Sequence, residues 1–152
     1  MLAALIYVAL AFTCTAQLSA ELLGAMRHVN IDGRVQWGAG VDIGYAFNKE
    51  ATIIGHVRAI SYSDNDWRGG VVDEGSALLE ANLFTSANKK VSLAAIGGAD
   101  RDFEADDWGF SVGLRPSLKL TENLSLVADS RIRAWFKQDK DIVTTLGLCY
   151  WF

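Results

Sequence analysis

The sequence predicts an all-β protein, an eight-stranded antiparallel up-and-down transmembrane β-barrel, on three observations. Stretches of about ten residues alternate apolar with small or polar side chains, the period-two signature of strands with two unlike faces. Fourteen glycines stand against one proline and five tryptophans, a composition of many turns and many interfacial aromatics. The connectors alternate between short ones and mostly longer, acidic ones, as strands joined at two unlike ends require.

At 152 residues the chain holds one domain, and 51% hydrophobic content leaves ample surface to bury or turn towards lipid. A formal net charge of -4 with no Lys/Arg-rich tract provides no broad surface for phosphate backbones, so nucleic acid is not an expected partner.

In chain order, the first element precedes the barrel. Leu2 to Phe12 is an apolar run too short for a spanning helix of about 20 residues, and it gives way to Thr13, Cys14, Thr15 and Ala16. It reads as the core of an export signal, giving residues 1–20 as a cleavable signal peptide and 21–152 as barrel. Cleavage after Ala16 puts small Cys14 and Ala16 at the recognised positions, whereas cleavage after Ala20 leaves bulky Leu18 two residues upstream. No Lys or Arg precedes the run, and the alternative is a buried first helix. Thr13 argues against lipidation of Cys14, and with Cys149 as the one other cysteine no disulfide framework follows.

The first strand, at about Leu22 to Ile31, has its parity obscured by Met26, Arg27 and His28. It rests chiefly on Asp32-Gly33, a two-residue hairpin signal. The second, Trp37 to Phe47, sets Trp37, Ala39, Val41, Ile43, Tyr45 and Phe47 against Gly38, Gly40, Asp42, Gly44 and Ala46. In the third, within Ala51 to Tyr62, Ile53, Val57 and Ala59 oppose His56 and Arg58. The fourth opposes Ala77, Leu79, Ala81 and Leu83 to Glu80 and Asn82; the fifth opposes Val91, Leu93 and Ala95 to Ser92 and Ala94. The sixth, Trp108 to Leu120, is as regular as the second, with Trp108, Phe110, Val112 and Leu114 opposite Gly109, Ser111, Gly113 and Arg115, and Lys119 following on the polar face. The seventh opposes Leu124, Leu126, Ala128, Ile132 and Phe136 to Ser125, Asp129, Arg131 and Arg133. Ile142, Leu146, Leu148, Tyr150 and Phe152 close the series. Asn48 to Glu50, Thr85 to Lys90 and Thr121 to Asn123 are the short turns. Ser63 to Gly75, Asp100 to Asp107 and Lys137 to Asp141 are the outer loops, and the Asp32-Gly33 hairpin is unusually short among them.

Alternation alone fits a soluble lipocalin-like barrel as well, so the aromatics decide which face is outside. Trp37, Trp108, Phe110 and Phe136 fall at the loop ends of the apolar face, and Tyr45, Phe47, Tyr150 and Phe152 at the turn ends. Two belts of this kind suit the two interfaces of a bilayer. Thr145, Gly147, Tyr150 and Phe152 also fit the polar-x-Gly-x-x-hydrophobic-x-hydrophobic pattern that outer-membrane proteins present to their insertion machinery. On this last strand, its one specific motif, the chain resembles the small outer-membrane barrels of the OmpX and OmpA membrane-domain kind. The resemblance implies the outer membrane of a Gram-negative-type cell, outer-membrane lipid and lipopolysaccharide as surroundings, and the barrel-assembly machinery as a transient partner.

If the apolar face meets lipid, Asp42, His56, Arg58, Glu80, Asn82, Arg115, Lys119, Asp129, Arg131 and Arg133 point into a bore wide enough for side chains alone. Isolated charges there would be very costly, so a lumenal network joining Asp42, Glu80 and Asp129 to the basic residues is expected. This favours a structural or surface-interaction role with a plugged lumen; a narrow gated pore is the alternative. Some barrels that this chain resembles are lipid A enzymes built on a His with a nearby Ser. Here His28 and His56 are the two histidines, with no Ser two residues from His56, and both are expected to make lumenal hydrogen bonds. No catalytic residue, cofactor or metal is assigned. Asp100, Asp102, Glu104, Asp106 and Asp107 have hard-oxygen spacing for calcium, but without the Gly and terminal Glu of an EF-hand loop they read as a solvated acidic loop.

Overall fold

A computed structural model describes residues 17–29, 33–47, 52–63 and 72–152. The expected signal segment up to Ala16, Asp32 of the expected first hairpin, the expected Asn48 to Glu50 turn and much of the expected Ser63 to Gly75 loop lie outside the described residues. Eight strands follow one another: β1 (Leu18–Val29), β2 (Arg34–Ala46), β3 (Ile53–Ser63), β4 (Glu74–Thr85), β5 (Val91–Asp102), β6 (Asp107–Lys119), β7 (Leu124–Trp135) and β8 (Asp141–Trp151). Each pairs with its neighbours in sequence and β1 closes on β8, so the sheet has no free edge.

The alternation read from the sequence separates the two faces. Leu22, Val57 and Val112 point outwards at 72%, 68% and 67% exposure, while Asp42, Arg58 and Arg131 on the opposite parity are at most 1% exposed. Trp37, Trp108, Phe110 and Phe136 are exposed at the loop end, where Phe110 and Phe136 meet edge to face at 5.7 Å. Phe47, Tyr150 and Phe152 are exposed at the turn end, and Tyr45, which contacts Phe47 edge to face, is partly so.

Three local expectations need correction, at the start of β1, at His28 and in the acidic stretch after Ala99. The first strand starts at Leu18, not Leu22, because Ser19, Glu21, Leu23, Ala25 and Arg27 alternate inwards from its first turn of pairing. His28 takes the outward parity of that strand and so lies off the lumen. In β4 Leu83 faces outwards as its parity requires, and a register shift between Asn82 and Phe84, a bulge, leaves Leu83 without a β5 partner and turns Phe84 outwards as well. Half of the acidic stretch Asp100 to Asp107 is strand: four residues, 103–106, connect β5 to β6, and Asp100, Asp102 and Asp107 are buried rather than solvated. Pro116 has no N–H, and the β6–β7 ladder is interrupted at Arg115 and Pro116 without losing register.

Candidate functional site

The lumen holds the chemistry of this molecule, in two tiers. The turn-side tier is centred on Asp129 of β7. Its carboxylate accepts from Arg58 Nη1 of β3 at 2.8 Å, Arg115 Nη1 of β6 at 3.2 Å, Arg131 Nε of β7 at 3.2 Å and Thr145 Oγ1 of β8 at 2.8 Å. Arg58 also donates from Nε to Asp42 Oδ2 at 2.8 Å, and Arg115 reaches Glu21 Oε2 at 2.6 Å and Glu80 Oε2 at 2.9 Å. His56 bridges β2 and β4, with Nδ1 3.1 Å from Asp42 Oδ1 and Nε2 3.0 Å from Glu80 Oε2. Arg131 Nη1 adds Asp100 Oδ1 at 3.1 Å and Ser111 Oγ at 3.2 Å.

The loop-side tier is built on Arg27 and Arg133. Arg27 binds Asp141 Oδ2 at 2.7 Å, Glu74 Oε1 at 3.0 Å and Asp102 Oδ2 at 3.2 Å. Arg133 grips Asp141 through Nε at 2.6 Å and Nη2 at 2.8 Å, a bidentate pair, and also binds Glu74. Tyr62 donates to Glu74 at 3.0 Å and Trp135 Nε1 to Asp141 at 3.1 Å, and both rings lie against the guanidinium of Arg27. Leu23, Ala25 and Ile60 form the small apolar cluster against which Tyr62 packs.

Of the residues singled out from the sequence, Asp42, Arg58, Glu80, Arg115, Asp129 and Arg131 thus meet in one tier and Arg133 stands in the other. Lys119 does not join them: it is exposed at the turn-side mouth and takes part in no ion pair among the described residues. Sequence reasoning missed Glu21 because the expected strand begins at Leu22, Arg27 because Met26 and His28 beside it obscure the parity, and Glu74, Asp100, Asp102 and Asp141 because charges near connectors suggest water. Their even spacing with neighbouring inward residues was the available signal. Thr145 and Gly147 face inwards. A Cβ at Gly147 would come within 2.7 Å of the Leu22 carbonyl and meet the Glu21 carboxylate, so the bare glycine gives Glu21 its room. Among the described residues no group of three or more His, Cys, Asp or Glu is arranged to hold a metal ion.

Below His56, Glu80 and Arg115 the bore widens into a vestibule of about 370 Å³ that opens at the turn end. Asn82, Ser92, Ser117 and Ser125 are on its wall, with Lys89, Lys90 and Lys119 also lining it.

Among solved structures, the chain is similar to a designed transmembrane β-barrel (TM-score 0.58, 11% identity, 90% of this chain and 95% of that one). The fold is that of a transmembrane β-barrel. A second designed barrel, TMB2.3, matches with a TM-score of 0.52 and 14% identity over 89% of this chain and 94% of its own. Ail, the attachment invasion locus protein of Yersinia pestis, matches with a TM-score of 0.50 and 20% identity over 90% of this chain and 99% of its own. No protein-family model and no curated protein matches the sequence.

Proposed function

We propose that this chain is an outer-membrane β-barrel of a Gram-negative-type envelope with a structural or surface-interaction role, its lumen plugged by its own paired charges and no reaction catalysed in it. The observation that carries this reading is a pair of braces across the full bore. Arg58 of β3 meets Asp129 of β7, and Arg27 of β1 meets Asp102 of β5; in an eight-stranded barrel each of these strands stands opposite the other. Two guanidinium-carboxylate contacts in different directions leave little bore for ions. Both ring nitrogens of His56 are engaged by carboxylates, an arrangement that suits a cross-link and not a general base. In planar bilayers the purified barrel is expected to show no steady conductance, and with lipid A no acyl transfer or release. Stable channels would replace this reading by a pore, and turnover would replace it by an enzyme.

Export and insertion belong to the same proposal. Ala46 N–H donates to the Gln17 carbonyl at 3.0 Å, and Ser19 and Ala20 pair with both β2 and β8. Cleavage after Ala16 preserves these contacts, whereas cleavage after Ala20 would remove the first residues of β1. Tyr150 and Phe152 stand outwards in edge-to-face contact at 5.2 Å, while Thr145 and Gly147 face the lumen, a disposition that suits an insertion signal read from the lipid side of β8. The mature protein is expected to begin at Gln17 by intact mass. Tyr150→Ser with Phe152→Ser should sharply lower the heat-modifiable, membrane-assembled fraction while synthesis and export continue. Undiminished assembly of the double variant would remove the insertion role.

A further inference from the structure

The turn-side vestibule differs from the rest of the lumen in charge and in exposure. Deeper in, every arginine is bound to carboxylates. At the mouth, Lys89, Lys90 and Lys119 line one cavity and none of the three enters an ion pair among the described residues. The sheet holds them together: Lys119 N–H donates to the Lys90 carbonyl at 2.7 Å, and Lys89 is fixed in the left-handed region at φ 55°. Of the acidic side chains that line the cavity, Glu80 is committed to His56 and Arg115 at its floor, which leaves Glu122, while Phe152 at the end of the sequence also lines it. Like charges gathered in a cup with low-dielectric walls focus a positive potential into it.

Neutral polar groups cover the wall. Ser92 and Ser117 share a hydrogen bond at 2.6 Å and Asn82 donates to Thr85 at 2.8 Å, which leaves each hydroxyl and amide further donor or acceptor capacity towards the cavity. Ser125 and Asn123 continue the polar wall, and Trp151 adds an aromatic surface. A volume of about 370 Å³ accommodates a small solute and not a folded partner.

We propose that this vestibule binds a small hydroxylated anion, of the class of sugar acids and glycerol phosphates, with its acidic group at the lysines and its hydroxyls on the Ser/Asn wall. A free solute and the headgroup of phosphatidylglycerol share this chemistry. The inference holds whether or not the bore is plugged and whichever compartment the turn end faces.

The test uses the full barrel in phosphatidylcholine nanodiscs, with backbone amide shifts of Ser92, Ser117 and Lys119 followed during titration with glucuronate, glycerol 3-phosphate, glucose and glycerol. Saturable shifts with the two anions, weak or absent with the neutral compounds, are expected. Lys90→Ala with Lys119→Ala should raise the apparent Kd about tenfold. Both side chains are exposed, and an unchanged heat shift on a gel verifies that the double variant folds. If phosphatidylglycerol nanodiscs produce the same lysine-dependent shifts without added solute, the headgroup is the occupant and the proposal stands in that form. Absence of saturable shifts in both lipids, equal response to glucose, or insensitivity to the lysine substitutions would each overturn it.

Discussion

Asp129→Ala is expected to destabilise the barrel by about 3–5 kcal/mol, measured as denaturant unfolding in detergent or lipid vesicles. Asp129 is 1% exposed and accepts from three arginines on three strands and from Thr145. Its removal leaves Arg58 with Asp42, Arg115 with Glu21 and Glu80, and Arg131 with Asp100, so no guanidinium is wholly orphaned. Each nevertheless loses a bond in a place that water does not readily reach, and the brace from β3 to β7 is gone. Asp129→Asn keeps one carbonyl oxygen without the charge and should fall between the wild type and alanine. A loss below about 1 kcal/mol for Asp129→Ala would mean that the tier is wetter than its burial indicates.

The second large effect belongs to the outer surface. Val112 is near the middle of β6, pointing outwards, so Val112→Arg should cost about 2–4 kcal/mol in a bilayer, with Leu118→Arg near the turn end costing about 0–1 kcal/mol. The contrast between the two positions is the informative quantity. A soluble barrel would tolerate both within about 0.5 kcal/mol, because an arginine on its outside is simply hydrated. Equal, small effects at the two positions would therefore argue against a lipid-facing exterior.

How far the sequence could be read depended on where each strand's two faces differed most. In Trp37 to Phe47 and Trp108 to Leu120 the contrast of large apolar against glycine, serine or charge persists over the whole strand, and inward and outward residues fall as the period-two pattern requires. Parity carries no warning of a bulge, so the outward turn of Phe84 needed the pairing of β4 with β5 to be seen. Beside the apolar run Leu2 to Phe12, the small and mixed residues Ser19 to Ala25 give too little contrast for a strand start to be placed. Between Asp100 and Asp107 carboxylates suggested water, but Asp100 and Asp102 were facing arginines from distant strands, Arg131 and Arg27. Which side chains meet across a bore depends on stagger and closure, and neither is written in local alternation. That is why individual charges could be assigned to the lumen while their partners and tiers could not.

The joining of β1 to β8 also constrains the order in which the molecule can be made. Arg27 and Asp141 are separated by 114 residues, so their contact requires a loop closed over most of the chain. The braces from β1 to β5 and from β3 to β7 likewise acquire their geometry only when the sheet curls fully round. An incompletely curled sheet in hydrocarbon would present guanidinium groups to lipid with some of their counter-charges missing, and its two open edges would carry unsatisfied backbone groups. The chain therefore has no comfortable halfway state within a membrane. Its charged interior can be sealed from water only in the same event that docks the final strand, so seven strands without the eighth are nothing that can yet reside there alone.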